Sequence, residues 1–172
     1  MNAKRYAIPG MVLATLLAAG CATVSNIQTT ELAKGAPMSV LPLRNNTETP
    51  MAGLRAGSIV EGVLRARGFN IVGSVPQGKE EPSADNIAKL TDQARKAGAR
   101  YVVSGDVNEW RYKTGIDGEP AVSLSISVVS LENGAVAWSG VGAKSGWGHE
   151  SIGTLAQELV NGLINKIKST MK

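Results

Sequence analysis

Residues 122–128, within a strand predicted at 121–131, alternate strictly between apolar and serine side chains, and this alternation constrains the fold more than any other feature. The apolar positions are Val122, Leu124, Ile126 and Val128, and the serines between them are Ser123, Ser125 and Ser127. Successive side chains of a β-strand point to opposite faces of its sheet. The segment therefore predicts a strand with one face on a core and one polar face.

Further strands are predicted on both sides of this one. Residues 100–113 and about 135–145 predict two long strands, and Glu-Asn-Gly at 132–134 predicts a tight hairpin turn, because Asn-Gly accepts positive φ at little cost. Shorter strands are predicted at 39–43 and 69–72.

Three helices are predicted between and after the strands. The first begins with Thr49 as N-cap and Pro50 at the first helical position, and it ends at Gly68. The second covers about 85–97, and the third carries one apolar face between residues 152 and 167. The order β-α-β-α-β-β-β-α predicts a single α/β domain in which helices pack on a mixed (α+β) sheet.

The first 20 residues have the composition of a secretory signal peptide. Lys4 and Arg5 form a basic start, and an apolar run of 12 residues follows from position 8 to 19, against roughly 20 needed to cross a bilayer. Small residues then precede Cys21, the only cysteine of the chain. This pattern resembles the bacterial lipobox, whose thiol receives a diacylglyceryl group, although Ala18 stands where leucine is usual. The alternative is an ordinary signal with an incidental cysteine.

Cleavage before Cys21 would remove 20 of the 172 residues and leave 152, enough for one compact domain. Without the two basic residues of the signal, 16 basic residues stand against 14 acidic ones, so a net charge of +2 is no reason to expect nucleic acid. Residues 21–36 are predicted to be the lipidated cysteine and a flexible tether, and residues 37–172 the periplasmic domain. Ala22, where an aspartate would retain the protein at the inner membrane, favours the outer membrane.

The chain offers little for catalysis. Its only histidine, His149, lies in a glycine-rich loop beside Glu150, where a solvated side chain is expected. Neither metal-ligand spacing nor a phosphate-binding glycine loop is present. The densest acids are Asp106, Glu109, Asp117 and Glu119. Paired carboxylates can cut sugars, but solvated acids at strand and hairpin ends are expected here. The sequence predicts a protein that is not an enzyme and carries no cofactor apart from covalent lipid.

Three features go beyond the needs of a plain soluble domain. Trp147 lies between two glycines near the end of the last predicted strand, where it is hard to bury. The predicted hairpin loop 112–120 is long and acidic at its tip. The serine face of the middle strand is flat and uncharged, and could accept a neighbouring subunit. Together these features indicate assembly near a membrane.

Several segments resemble known families. Residues 40–47 (VLPLRNNT) and 97–107 (AGARYVVSGDV) are similar to strands of the superfamily that contains the TolB N-terminal domain and the curli-secretion lipoprotein CsgG. Residues 109–122 (EWRYKTGIDGEPAV), 136–140 (VAWSG) and 146–148 (GWG), together with the lipobox, resemble the PelC family of outer-membrane lipoproteins. This resemblance covers essentially the whole mature chain.

The resemblance implies a function. PelC-like proteins form a dodecameric ring at the periplasmic face of the outer membrane, around the exit of the PelB porin, and guide the cationic Pel exopolysaccharide towards it in biofilm formation. One carboxylate per subunit becomes a belt of about a dozen charges in such a ring, and such belts concentrate and pass cations. Asp117 and Glu119 are the candidates for that belt, with Asp106 in reserve. Trp147 matches the family's tryptophan that enters the lipid interface.

Two other functions stay open at the level of sequence. One is a different TolB-like periplasmic lipoprotein, either curli-secretion-like or an activator of penicillin-binding proteins, although such an activator needs a longer arm to reach the inner membrane. The other is a glycan-binding or processing module that acts alone, although 7 aromatic residues (3 Trp, 3 Tyr and 1 Phe) provide few stacking platforms.

Overall fold

The computed structural model describes residues 22–32, 35–73, 83–115 and 118–167. Over these residues the chain forms six strands and three helices. In chain order they are β1 (Ala22–Gln28), β2 (Met38–Val40), β3 (Arg44–Asn45), α1 (Ala52–Ala66), α2 (Ala84–Lys96), β4 (Tyr101–Tyr112), β5 (Pro120–Ser130), β6 (Val136–Ser145) and α3 (Ile152–Ile164). The predicted α/β class and mixed sheet are confirmed. No helix within the described ranges is long and apolar enough to cross a membrane.

The strands form one sheet in the order β1-β6-β5-β4-β2, and β3 also pairs with β4. The pairs β1–β6, β6–β5 and β5–β4 are antiparallel, whereas β2 and β3 run parallel to β4. The three long strands follow their predicted bounds to within one residue at each end. Ser127 pairs with Ser104 on one side and Ser139 on the other, so the serine face extends across three strands.

The main core lies between one face of this sheet and helices α1 and α3. The apolar positions that alternate along β5 are at most 1% exposed, and Trp138 of β6 is fully buried beside them. Helix α2 packs on the opposite face, where its Leu90 and Ala94 join a small second cluster with Leu41 and Val102. Helices α1 and α3 therefore cover one face over its long central strands, and α2 covers the other face only at the β2 side.

The prediction of a flexible tether at residues 21–36 is wrong over much of its length. β1 occupies the start of that segment and pairs antiparallel with β6, with Ala22 opposite Lys144. Leu32 is fully buried in the main core. Short polar side chains gave β1 no visible alternation, but the edge of β6 carries peptide groups that a strand of almost any composition can pair with.

Two local predictions are also wrong. The strand predicted at 69–72 is reduced to a single parallel bridge between Ile71 and β2. Helix α1 begins after Met51, which has a φ of 64° and makes no side-chain cap, rather than at Thr49. The reason is that Thr49 Oγ1 donates to the carbonyl oxygen of Trp110 on β4, so this hydroxyl holds the loop to the sheet.

Two of the predicted site residues, Cys21 and Asp117, lie outside the described residues, as does the signal segment 1–20. Lipidation and cleavage at Cys21 stay predictions of the sequence.

Candidate functional site

One end of the sheet gathers most of the predicted site residues, and we call it the hairpin end: residues 112–115, 118–120 and 144–151, with Ala22. β4 passes here into β5, and the Lys113 amide donates to the Glu119 carbonyl oxygen at 2.7 Å. β6 also ends here, and the Gly146 amide donates to the Pro120 carbonyl oxygen at 2.9 Å. β1 starts at the same end because Ala22 pairs with Lys144.

Trp147 is exposed at the hairpin end, as its two flanking glycines predict. The residue is 49% exposed, and its amide donates to Glu150 Oε2 at 2.5 Å. The glycine at position 146 allows a close approach, since a Cβ there would lie 2.4 Å from Glu150 Oε2 and 3.0 Å from Leu155 Cδ1 and these side-chain ends would have to move. The turn is thus held closely against the start of α3 while the indole remains in solvent.

A second exposed aromatic residue, Tyr112, lies at the hairpin end, and no sequence pattern singled it out. Tyr112 is the last residue of β4, is 50% exposed and pairs with Pro120. Its hydroxyl accepts a hydrogen bond from the Ile152 amide at 3.2 Å. The sequence did contain a signal for this exposure, since Tyr112 directly precedes the long acidic loop. An aromatic side chain at the end of a strand lies beyond the core and is expected to be exposed.

The candidate acids do not come together in one subunit. Glu119 lies at the hairpin end, with its Oε2 3.5 Å from Lys113 Nζ. Asp106 lies in the middle of β4, where Oδ1 accepts from Arg44 Nε at 2.5 Å and Oδ2 accepts from Ser125 Oγ at 3.2 Å. Both described candidates are therefore paired with a base, at separate places on the sheet.

The remaining polar candidates show no catalytic grouping among the described residues. His149 is exposed in the turn before α3, and the cap of that helix is Ser151, whose Oγ accepts from the Thr154 amide at 3.1 Å. Glu109 pairs with Arg111 at 2.8 Å. No group of three or more His, Cys, Asp or Glu within the described ranges could hold a metal ion. That the protein is not an enzyme stays a prediction.

The sheet face opposite α1 and α3 is the second candidate surface, and we call it the open face. It consists of alternate residues of four strands: Thr23, Ser25, Ile27, Ser139, Val141, Ala143, Ser123, Ser125, Ser127, Ser104 and Asp106. All of them are half-buried or exposed. Two are large apolar side chains, Ile27 at 66% and Val141 at 48% exposure. The predicted serine face is thus solvent-facing, with apolar residues beside it that the alternation of β5 alone does not reveal.

The fold and these two surfaces define a class of protein, a small α/β domain with one helix-covered and one open sheet face. The lipoprotein GNA1162 of Neisseria meningitidis has the same fold, at 19% identity and a TM-score of 0.54 over 77% of this chain and 97% of that one. The PelC dodecamer from Paraburkholderia phytofirmans is 36% identical, with a TM-score of 0.74 over 87% of this chain and 99% of that one. This chain belongs to the PelC family.

A leucine-to-methionine variant of the same Paraburkholderia PelC, also solved as a dodecamer, has the same identity and TM-score and is covered over 100% of its chain. No family model and no curated protein matches this chain.

Proposed function

We propose that this protein is a lipoprotein, anchored through Cys21 at the periplasmic face of the outer membrane, whose copies form a ring that assists export of a cationic exopolysaccharide through a PelB-type porin. The observation that carries the proposal is 36% identity to a PelC dodecamer across 99% of that chain. In this proposal the protein positions and guides, and it neither catalyses a reaction nor holds a cofactor apart from the covalent lipid.

Exposure of Trp147 supports the membrane contact. A tryptophan has a large apolar ring and an N–H group, and such residues are enriched at the headgroup region of membranes. Leaving this ring 49% exposed in water is unfavourable for an isolated domain. Contact with lipid would remove that cost.

The open face supports the subunit contact. Ile27 and Val141 provide exposed apolar area there, on a sheet that otherwise presents small hydroxyl-bearing side chains. A neighbouring subunit can approach such a flat surface closely. A ring requires head-to-tail contacts, in which this face meets a different face of the next copy.

The hairpin loop supports the guiding of a polycation. Glu119 is only partly compensated by Lys113 at 3.5 Å, and Asp117 is two residues away in the same loop. Repeated around a ring, such acids make a belt that attracts cations over the screening length of about 8 Å at physiological ionic strength. Asp106 is the least suited of the three, because Arg44 and Ser125 already occupy its oxygens.

The position of β1 disfavours an activator of inner-membrane enzymes. Such a protein needs a long arm between its lipid and its domain. Here Ala22, the residue after Cys21, is already in the sheet. The connection is too short to reach across the periplasm.

The anchor is tested by Cys21→Ser. We expect this variant to lose palmitate labelling and to leave the membrane fraction, because acyl chains on Cys21 provide the stable attachment. Ser25→Ala, four residues further along the chain, is the matched control and should remain labelled and membrane-bound. Unchanged outer-membrane fractionation of Cys21→Ser would contradict the proposal.

The ring and its acids are tested by native mass spectrometry and by binding of polylysine at rising salt. We expect a ring-sized oligomer whose affinity for polylysine falls with salt. Reversal of both hairpin acids, by Asp117→Lys and Glu119→Lys, should weaken this binding without dissociating the oligomer. Glu132→Lys, in the turn at the opposite end of the sheet, is the control. Affinity that survives the double reversal would exclude these acids from the guiding surface.

A further inference from the structure

We infer that β1 is a rigid seat for the lipid anchor: its pairing with β6 fixes Ala22, the residue bonded to Cys21, at the hairpin end, so that the lipid, Trp147 and Tyr112 enter the same membrane leaflet without a flexible tether between them. This inference rests on the proposed lipidation of Cys21. It adds the height and orientation at which the domain stands on the membrane.

The register of β1 places its first residue at the hairpin end. Ala22 is opposite Lys144, three residues before Trp147, and the pairing continues without interruption to Gln28 opposite Trp138. The Cα atoms of neighbouring residues are about 3.8 Å apart, so Cys21 cannot lie far from Ala22. A flexible tether over residues 21–36 would instead allow the lipid to lie anywhere within about 20 Å of the domain.

Contacts along β1 and just after it keep it in place. Val24 packs against the main core, and a Cβ on Gly142 of β6 would come within 3.0 Å of the Thr23 carbonyl oxygen and 3.2 Å of Val24 Cγ2. Just after the strand, Thr29 Oγ1 donates to the Val136 carbonyl oxygen at 2.7 Å, and Leu32 is fully buried. The segment is thus held at its middle and at its far end.

The two exposed aromatic residues, Tyr112 and Trp147, lie on opposite sides of Pro120 at the hairpin end. Tyr112 pairs with Pro120 from the β4 side, and the Gly146 amide binds the Pro120 carbonyl oxygen from the β6 side. Tyr112 and Gly146 are therefore about two strand spacings, roughly 10 Å, apart, and Trp147 follows Gly146. Both aromatic residues lie at the end of the sheet where β1 begins, and both residue types favour the headgroup region.

A rigid connection matters because it sets the effective concentration of the aromatic side chains at the lipid surface. When the lipid is inserted, a seated domain has its hairpin end at the headgroups. A domain on a slack linker samples many heights and tilts. Copies of the chain that are to close a ring against one membrane need a common height, which the β1 pairing provides.

The inference is tested by inserting the same flexible linker either before or after β1. One variant of the full lipidated chain carries about ten Gly and Ser residues between Ala22 and Thr23, which keeps Ala22 next to Cys21, and adds about 17 Å of flexible reach. The control carries the same insertion between Thr30 and Glu31, after the strand. If residues 21–36 acted as a flexible tether, both insertions would change the contact of Trp147 with lipid equally. If β1 is a rigid seat, only the first insertion changes it.

The readout is quenching of tryptophan fluorescence by brominated lipid in vesicles of phosphatidylethanolamine and phosphatidylglycerol. Trp110 and Trp138 are buried, so subtraction of a matching Trp147→Phe variant isolates the Trp147 signal. We expect quenching of Trp147 to fall at least about twofold when the linker is inserted before β1. With the linker after β1, quenching should equal that of the chain without an insertion.

Equal quenching in the two insertion variants, in protein that carries palmitate on Cys21, would overturn the seat while leaving the proposed function intact. Absence of palmitate from the unmodified chain would overturn both. The part played by Tyr112 is tested separately by Tyr112→Trp in the Trp147→Phe background. Brominated lipid should quench the new tryptophan, and its failure to do so would remove Tyr112 from the membrane contact.

Discussion

The two faces of β5 share one backbone and differ in almost everything else. Towards α1 and α3, its apolar side chains are at most 1% exposed. Towards the open face, its serines are half-buried and lie beside the exposed Val141 of β6, with the exposed Ile27 of β1 one strand further away. Burial of apolar area contributes about 25 cal/mol per Å² to folding, so the free energy of folding of one subunit comes mainly from the first face.

The difference teaches how one strand can serve both folding and assembly. On the open face, the hydroxyls of Ser127 and Ser139 bind each other, with their Oγ atoms 3.0 Å apart. Such a pair keeps its hydrogen bond when a neighbouring protein covers the surface and excludes water. The surface is therefore stable both exposed and covered. The comparison predicts that substitutions on the two faces separate stability from self-association.

The largest effect on unfolding is expected for Trp138→Ala. This side chain is fully buried in the main core, and truncation of a buried aromatic residue costs about 3–5 kcal/mol. Val141→Ala, three residues later on β6 and 48% exposed on the open face, should cost about 1 kcal/mol or less. Denaturant unfolding of the unlipidated mature protein measures both. Equal losses would show that the open face also supports the fold.

A smaller loss is expected for Gly105→Ala in β4. A Cβ at this position would lie 1.9 Å from the Ser125 carbonyl oxygen, so the β4–β5 backbone must shift, at a cost of about 1–3 kcal/mol. Gly62→Ala, in α1 with nothing within 4 Å of the new Cβ, should instead stabilise by about 0.5–1 kcal/mol. Chemical denaturation should show a lower free energy of unfolding for Gly105→Ala and a higher one for Gly62→Ala. A higher value for both variants would contradict the close approach at Gly105.

A still smaller change is expected for Arg44→Met, which removes the ion pair with Asp106. The Arg44 side chain is 75% exposed, and pairs of this kind contribute about 0–1 kcal/mol. Arg111→Met, which removes the pair with Glu109 on the same strand, is the matched control and should behave alike. A loss above about 2 kcal/mol for Arg44→Met alone would identify Asp106 as structural and exclude it from any guiding role.

The smallest change in unfolding is expected for Ile27→Lys, within about 0.5 kcal/mol, since this residue is 66% exposed on an edge strand. Its effect should fall on assembly, because a lysine on the open face opposes close contact with a second copy. Gln157→Lys, on the exposed side of α3, should leave the oligomer intact. Native mass spectrometry reports the outcome, and an intact oligomer in both variants would place the subunit contact elsewhere.

Where periodicity was strong, the sequence predicted the structure closely. The alternation along β5 identified its buried side chains, and the glycines around Trp147 predicted its exposure. These patterns suffice because they depend on local geometry: side chains two apart on a strand share a face, and a ring between two glycines has little nearby chain to cover it.

Where pairing depended on a distant strand, sequence reasoning failed. β1 was predicted as a tether because short polar residues show no period, and Thr49 was predicted as a helix cap although its hydroxyl binds the Trp110 carbonyl oxygen. Asp106 was kept only in reserve among the candidate acids, and the sequence did not reveal that the parallel pairing of β3 with β4 brings Arg44 against it. Each outcome depends on which peptide or charged group the fold places opposite the residue.

The sequence by itself therefore determined the long strands, the helices and the face of β5 that must be buried, because these follow from apolar periodicity and the cost of leaving it in water. Tertiary structure alone decided that β1 covers the edge of β6, that Ala22 starts beside Lys144 at the hairpin end, and that Tyr112 stands near Trp147. Backbone hydrogen bonding is the same for all residue types, so the partner of an edge strand is a property of the assembled sheet rather than of the strand's own side chains.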